Sequence, residues 1–169
     1  MWFSKASRRS LLAGLVLSAA IALGGCSFTP VYSGATGGQT ALAMAYAEPT
    51  DRLQQVIYQE LTARLGRSGA PTAPLASLEV TSSAGDMVVT TTTNPAKPMK
   101  FTVTATLTIT ARDGSQTPPR SFTRTATANY TRSSQVLGDS AAAQEAGERA
   151  ARSVAESLRL ALLAAATRR

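Results

Sequence analysis

The chain has 169 residues, of which 17 are basic and 10 acidic, and it contains no histidine and one cysteine. The lack of histidine removes the commonest general base and metal ligand, and a lone cysteine has no disulfide partner within the chain. Composition therefore argues against an enzyme, and the scattered basic residues argue against a nucleic-acid-binding protein.

The first 25 residues have the layout of an export signal. The basic start carries three cations, Lys5, Arg8 and Arg9. An apolar run over 11–23 and the pair Gly24-Gly25 follow. A membrane-spanning helix needs about 20 apolar residues, so this run predicts a signal peptide that is cleaved before Cys26. The segment Ser7 to Leu12 also fits a twin-arginine signal, which leaves two export routes open.

The residues around the cysteine resemble a bacterial lipobox. The sequence is Leu23-Gly24-Gly25-Cys26. The resemblance implies lipidation of Cys26 and attachment to a membrane, and the alternative is an unpaired thiol in an ordinary secreted domain. Ser27 stands where an aspartate would retain such a lipoprotein in the inner membrane, so by analogy the protein is expected in the outer membrane.

Cleavage after residue 25 leaves 144 residues with 14 basic and 10 acidic side chains. This length predicts one domain with a real core. The small, polar run over 33–40 is typical of a tether, so we divide the chain into a signal peptide (1–25), a lipidated N-terminus with its tether (26–41) and a single domain (42–169). The mild positive charge suits anionic membrane components.

The first half of the domain is predicted to hold two strands and a helix. A short strand is expected over 41–47. A helix follows, with Thr50 or Asp51 as its N-cap and Gly66 at its end. After an Ala/Pro loop over 70–75, a second strand is expected over 78–93, with a bend near Gly85.

A hairpin is the clearest prediction from the sequence. Apolar residues and threonines alternate from Lys100 to Arg112, which predicts a half-buried strand. A turn over 112–115 and two prolines precede the return strand, which is expected from Ser121 to Arg132. Such a sheet needs a cover on one face only.

The last segment, 140–167, predicts that cover. It is rich in alanine, lacks proline, and has Asp139 or Ser140 as its expected N-cap. Its apolar stripe consists of Gly147, Ala150, Val154, Leu158 and Leu162. The predicted fold is an α+β two-layer sandwich, in which a mostly antiparallel or mixed sheet of about four strands is covered by two helices.

The carboxylates do not form a recognisable acid/base pair. They are Asp51, Asp86, Asp113, Glu145, Glu148 and Glu156, and each lies at a turn, at a helix start or among arginines on a helix. We interpret them as caps and solvated charges. No catalytic residue, metal or cofactor is expected.

The lipobox, the segment Phe28 to Tyr32 and the C-terminal pattern together resemble the LptE family of lipopolysaccharide-assembly lipoproteins. The C-terminal pattern runs over 130–137 and 141–151. The resemblance implies a noncatalytic outer-membrane subunit that stands partly inside a large β-barrel translocon partner, LptD-like, as plug and assembly factor. It also implies contact with lipopolysaccharide, attachment through the lipid anchor and no nucleic-acid partner.

Lipopolysaccharide carries phosphates, so cations near apolar surface are its expected contacts. The candidates are Lys97, Lys100, Arg112, Arg120, Arg124 and Arg132. Each could equally be a surface charge without function. Arg124 is separated from Phe122 and Tyr130 by an even number of positions, so strand alternation predicts its side chain on the same, apolar face. A cation in that position is expected either at a sheet edge or at a bulge. The threonine-rich face fits a polar barrel lumen and solvent equally well.

Two other functions remain open. An accessory lipoprotein of a phospholipid or other lipid ABC-type transport system would share the anchor and the fold. An anchored hydrolase is the weakest alternative, because no nucleophile–base pair is visible.

Overall fold

The structure is a computed structural model that describes residues 42–87 and 96–167. The predicted signal peptide, the tether, Cys26 and the end of the predicted second strand lie outside these residues. Within them the elements in chain order are β1 (Ala45–Tyr46), α1 (Arg52–Leu65), β2 (Leu75–Asp86), β3 (Lys97–Thr110), β4 (Arg120–Arg132) and α2 (Val136–Ala166).

The four strands form one sheet in the order β1-β2-β3-β4. The short β1 runs parallel to β2, and the β2–β3 and β3–β4 pairs are antiparallel. Both helices pack on one face, where α1 and α2 share a single core with the inward side chains of the strands. The predicted α+β sandwich with a mixed four-stranded sheet is confirmed.

The alternation of β3 sets the two faces of the sheet. Val103, Ala105 and Leu107 are fully buried against the helices, and the threonines between them face the other way. The β3–β4 register continues without a bulge from the Lys97–Arg132 pair to the end of the ladder. Of the two positions expected for Arg124, a sheet edge or a bulge, the structure shows the sheet edge, because β4 is the last strand of the sheet.

Several strand boundaries differ from the prediction. The strand β3 runs from Lys97 to Thr110 rather than from Lys100 to Arg112, and β4 begins at Arg120, one residue earlier than expected. Only Ala45 and Tyr46 pair with β2, so β1 is two residues long rather than seven. The strand β2 begins at Leu75, inside the predicted Ala/Pro loop, because the Pro74 carbonyl accepts a hydrogen bond from the Ala45 N–H (2.9 Å) and so starts the pairing. Its ladder with β3 then passes Gly85 without interruption.

The predicted ends of α1 are confirmed. Asp51 is the N-cap, and its carboxylate accepts a 2.8 Å hydrogen bond from the Gln54 N–H. Gly66 ends the helix with a φ of 82°, a conformation that favours glycine.

The start of α2 was predicted four residues too late. The helix begins at Val136 after Gln135, and Asp139 is not its N-cap. Instead, the Asp139 carboxylate accepts hydrogen bonds from the N–H (2.6 Å) and the hydroxyl (3.1 Å) of Ser133, which fixes the junction between β4 and α2. The predicted apolar stripe from Gly147 to Leu162 is buried as expected.

Gly147 lies at a close approach of α2 to the sheet and to α1. A Cβ at this position would be 3.1 Å from Phe101 Cε1 and 3.5 Å from Leu53 Cδ2. We expect Gly147→Val to lower the free energy of unfolding by about 1 to 3 kcal/mol through overpacking. Urea denaturation measures the loss, and Gly138→Val on the exposed start of α2 is the matched control. Equal losses in the two variants would contradict this packing.

An ion pair joins the two helices. The Arg52 Nε is 3.0 Å from Glu148 Oε1, and Arg152 donates to the same carboxylate from 3.2 Å. The hydrogen bond from Arg52 is the main cause that lowers the pKa of Glu148 below its ordinary value of 4.5. Because the folded pKa is depressed, the stabilisation is present above pH 4.5 and is lost as the pH falls through the folded pKa.

We therefore expect the difference in melting temperature between wild type and Glu148→Gln to shrink as the pH falls below 4.5. Thermal unfolding between pH 3 and pH 7 measures it. Glu145→Gln is the control, because Glu145 pairs only with Arg149 on its own helix (2.8 Å). A difference that stays constant across this range would exclude the assigned ion pair.

Candidate functional site

Three of the predicted cations meet at one end of the sheet, where β3 begins and β4 ends. Lys97 and Arg132 are direct partners in the β3–β4 register, and Lys100 pairs with Asn129 three residues further along. By strand alternation, Lys97 and Arg132 lie on the helix side of the sheet, whereas Lys100 lies on the opposite side. We call Lys97, Lys100 and Arg132 the cationic tip.

Exposed apolar side chains lie at the same end of the sheet as the cationic tip. Val136 and Leu137 on the first turn of α2 are 81% and 86% exposed, and Met87 at the end of β2 is 46% exposed. The Met87 N–H donates to the Pro98 carbonyl (3.1 Å), which holds this methionine beside the start of β3. We call Met87, Val136 and Leu137 the apolar rim.

The charge at this end of the sheet is incompletely neutralised. Arg132 is 4.0 Å from Asp86, and both side chains are about half exposed. Lys97 and Lys100 form no ion pair with any other described residue. Flexible ammonium groups next to exposed apolar side chains can bind a ligand that carries phosphates and hydrocarbon together.

The other three predicted cations lie elsewhere and have local partners. Arg112 Nε donates to the Ala73 carbonyl (2.9 Å), and Arg120 lies over the Phe122 ring, 5.6 Å from its centroid. Arg124 donates to the Thr123 carbonyl (2.7 Å). At about 3.3 Å per residue, the length of β4 separates Arg120 from the cationic tip by about 40 Å. The six candidates therefore do not form one site.

Sequence reasoning missed the apolar rim. Val136 and Leu137 were assigned to the connection before the helix, although an adjacent apolar pair in a polar stretch is a signal for exposed hydrophobic surface. Met87 was hidden within a strand predicted to continue to residue 93.

The sheet face away from the helices is covered with hydroxyl groups. Its charged side chains on β2, β3 and β4 are Glu79 and Lys100. Three neighbouring β3–β4 pairs are hydrogen-bonded through their side chains, namely Thr104–Thr125 (2.9 Å), Thr106–Thr123 (2.9 Å) and Thr108–Ser121 (3.0 Å). We call this surface the threonine face. No helix of the described residues covers it.

The carboxylates have the roles expected of caps and solvated charges. In addition to Asp51, Asp113 accepts a 2.9 Å hydrogen bond from the Ser115 N–H, and hydrogen bonds from Ser115 lower the pKa of Asp113. Glu156 pairs with Arg159 at 2.6 Å, and this contact likewise lowers the pKa of Glu156. The Glu156–Arg159 pair lines a charged groove of about 560 Å³ between α1 and α2.

Burial raises the hydroxyl pKa of two core tyrosines. Burial raises the pKa of Tyr46 to about 12, and its hydroxyl donates to the Gly66 carbonyl (3.2 Å). Burial also raises the pKa of Tyr58, whose ring meets that of Tyr46 edge-on at 5.6 Å. Both rings pack in the core, so we assign them a structural role.

No group of three His, Cys, Asp or Glu side chains in 42–87 and 96–167 is placed to hold a metal ion. Across the same residues, no helix combines the length and apolar character needed to span a bilayer.

The sequence matches no family model and no curated protein. Its fold is similar to that of a candidate lipoprotein from Caulobacter crescentus CB15, with a TM-score of 0.53 and 19% identity, covering 75% of this chain and 92% of that one. It is also similar to rare lipoprotein B from Shewanella oneidensis, with a TM-score of 0.54 and 10% identity, covering 75% of this chain and 96% of the other. At these identities the likeness establishes the shared fold.

Proposed function

We propose that the protein is a noncatalytic, lipid-anchored subunit of the outer-membrane lipopolysaccharide translocon, which plugs a large β-barrel partner and assists its assembly. The observation that carries the proposal is the presence of the cationic tip and the apolar rim at the same end of the sheet. Lipopolysaccharide presents phosphates beside acyl chains, and this end of the sheet offers cations beside exposed apolar side chains.

The chemistry of the threonine face supports the proposal of a β-barrel partner. The lumen of an outer-membrane barrel is polar, and hydroxyl groups can form hydrogen bonds with it as donors or acceptors. The face is long, carries few charges and lies opposite the helices, so the domain can use it for contact without opening its core.

The resemblance of the sequence to a lipobox, together with two solved proteins of this fold that are described as lipoproteins, supports the anchor at Cys26. We expect Cys26→Ala to move the protein from the membrane fraction to the soluble fraction, because attachment requires acyl chains on that sulfur. Fractionation and mass spectrometry of the mature protein test this. A wild-type chain that keeps residues 1–25, or has an unmodified Cys26, would overturn the anchor.

The translocon role is tested by purification of the full chain from membranes in mild detergent. We expect a stoichiometric outer-membrane barrel to co-purify, and depletion of the protein to reduce lipopolysaccharide at the cell surface. Co-purification of an inner-membrane lipid transporter instead would favour the accessory role and reject the translocon.

A further inference from the structure

The two edges of the sheet differ in how their backbone groups are covered. The first edge belongs to the upper part of β2, Val80–Asp86, because β1 pairs only with Leu75 and Ala76. The second edge belongs to β4 along its whole length. Unpaired edge strands are sites of strand addition unless something blocks them.

The upper β2 edge is open. The Ala47 N–H donates to the Ala76 carbonyl (2.9 Å), so by strand alternation the even-numbered residues of β2 direct their N–H and C=O groups to this edge. Further up the strand, these are the groups of Val80, Ser82 and Ala84. Among the described residues nothing is hydrogen-bonded to them on this side, and this stretch has no proline, bulge or cation to obstruct pairing.

The β4 edge, in contrast, is capped by two arginines. Arg124 donates to the Thr123 carbonyl (2.7 Å), and Arg149 reaches from α2 to the Asn129 carbonyl (2.8 Å). Both carbonyls belong to odd-numbered residues, which alternate toward the free side of the strand. Between the two capped carbonyls, only Thr125 and Thr127 direct backbone N–H and C=O groups to the free edge. Two residues are too few for a stable strand pairing.

The two edges also carry opposite charge. The strand β2 contains Glu79 and Asp86 and no basic residue, whereas β4 contains Arg120 and Arg132 in addition to the cap Arg124, and no acidic residue. A β4 edge without its caps would therefore fit the open β2 edge of a second copy, both by hydrogen bonding and by charge.

We infer that Arg124 and Arg149 are edge guards, which keep the β4 edge from pairing with the open β2 edge of a second copy of the chain. Such a contact joins two different surfaces, so a single pair of copies leaves one edge of each kind unpaired and association can continue from copy to copy. The inference concerns the state of assembly and is independent of the proposed function.

The test is the association state of the full mature chain in detergent, measured by size-exclusion chromatography with light scattering over a hundredfold range of concentration. Wild type is expected to be monomeric, and Arg124→Ala/Arg149→Ala is expected to associate at least tenfold more tightly. Adding Ser82→Pro should restore the monomer, because proline removes an N–H on the receiving edge. Arg152→Ala is the matched control on α2, since Arg152 pairs with Glu148 and contacts no edge carbonyl.

A folded double variant that stays monomeric would overturn the inference, and so would association that Ser82→Pro does not reduce. Arg149 also pairs with Glu145 and ties α2 to β4, so the double variant could lose its fold. In that event Arg124→Ala alone decides, because it frees the Thr123 carbonyl without touching α2. Concentration-dependent association of that variant supports the guard role, and a monomer at every concentration rejects it.

Discussion

Leu158→Ala is expected to lower the free energy of unfolding by about 2 to 5 kcal/mol. Leu158 is fully buried in the stripe of α2 that packs on the sheet. Its truncation removes apolar contacts and leaves a cavity, because a close-packed core relaxes only partly around the missing atoms.

Leu160→Ala is the matched control for this experiment. It removes the same atoms from the same helix, but Leu160 is 53% exposed, so a loss of about 0.5 kcal/mol or less is expected. Urea denaturation followed by circular dichroism measures both values. Similar losses in the two variants would mean that the assigned face of α2 is wrong.

Lys97→Glu/Lys100→Glu is expected to weaken binding to lipopolysaccharide by roughly thirtyfold or more. Each cation near an anionic lipid surface contributes about 1 kcal/mol, so the loss of two such contributions corresponds to that factor before any repulsion is added. Both lysines are exposed and lie in the cationic tip, so the stability of the fold should change little. A pull-down with immobilised lipopolysaccharide measures the effect.

The control carries the same change in charge away from the tip. Arg120→Glu/Arg64→Glu alters one cation at the opposite end of β4 and one on α1, so binding should change by less than threefold. Added salt should weaken the wild type far more than the lysine variant, because screening acts on charges that are still attractive. Unchanged binding in Lys97→Glu/Lys100→Glu would exclude both lysines as phosphate contacts.

The parts of the fold that the sequence predicted well are those with a repeated local signal. In β3, apolar and threonine residues alternate over a long stretch, and α1 has both an aspartate cap and a terminal glycine. The boundaries that were wrong depend on partners far away in the chain. The Pro74 carbonyl accepts a hydrogen bond from Ala45 at the start of the parallel β1–β2 pair, and the Asp139 carboxylate accepts hydrogen bonds from Ser133 rather than capping the helix. Local patterns do not encode these choices.

The cationic tip was predictable only as a set of residue types. Lys97 and Arg132 become neighbours through the strand register, whereas Arg112 and Arg120 are engaged by Ala73 and Phe122 at the other end of the sheet. Charge alone did not distinguish the cations of the tip from Arg112 and Arg120, because all of these residues lie near the ends of predicted strands. Register and local hydrogen bonding made the distinction.

The paired hydroxyls of the threonine face affect the cost of covering that surface. In a pair such as Thr104–Thr125, one hydroxyl hydrogen is already held by its neighbour, so only the other must find a new acceptor when water leaves. A buried donor without an acceptor costs about 1 to 3 kcal/mol. Because the six hydroxyls form three hydrogen-bonded pairs, only three of their hydrogens need a new acceptor when the face is covered. The face can therefore exchange water for a protein wall while its own side chains stay in place.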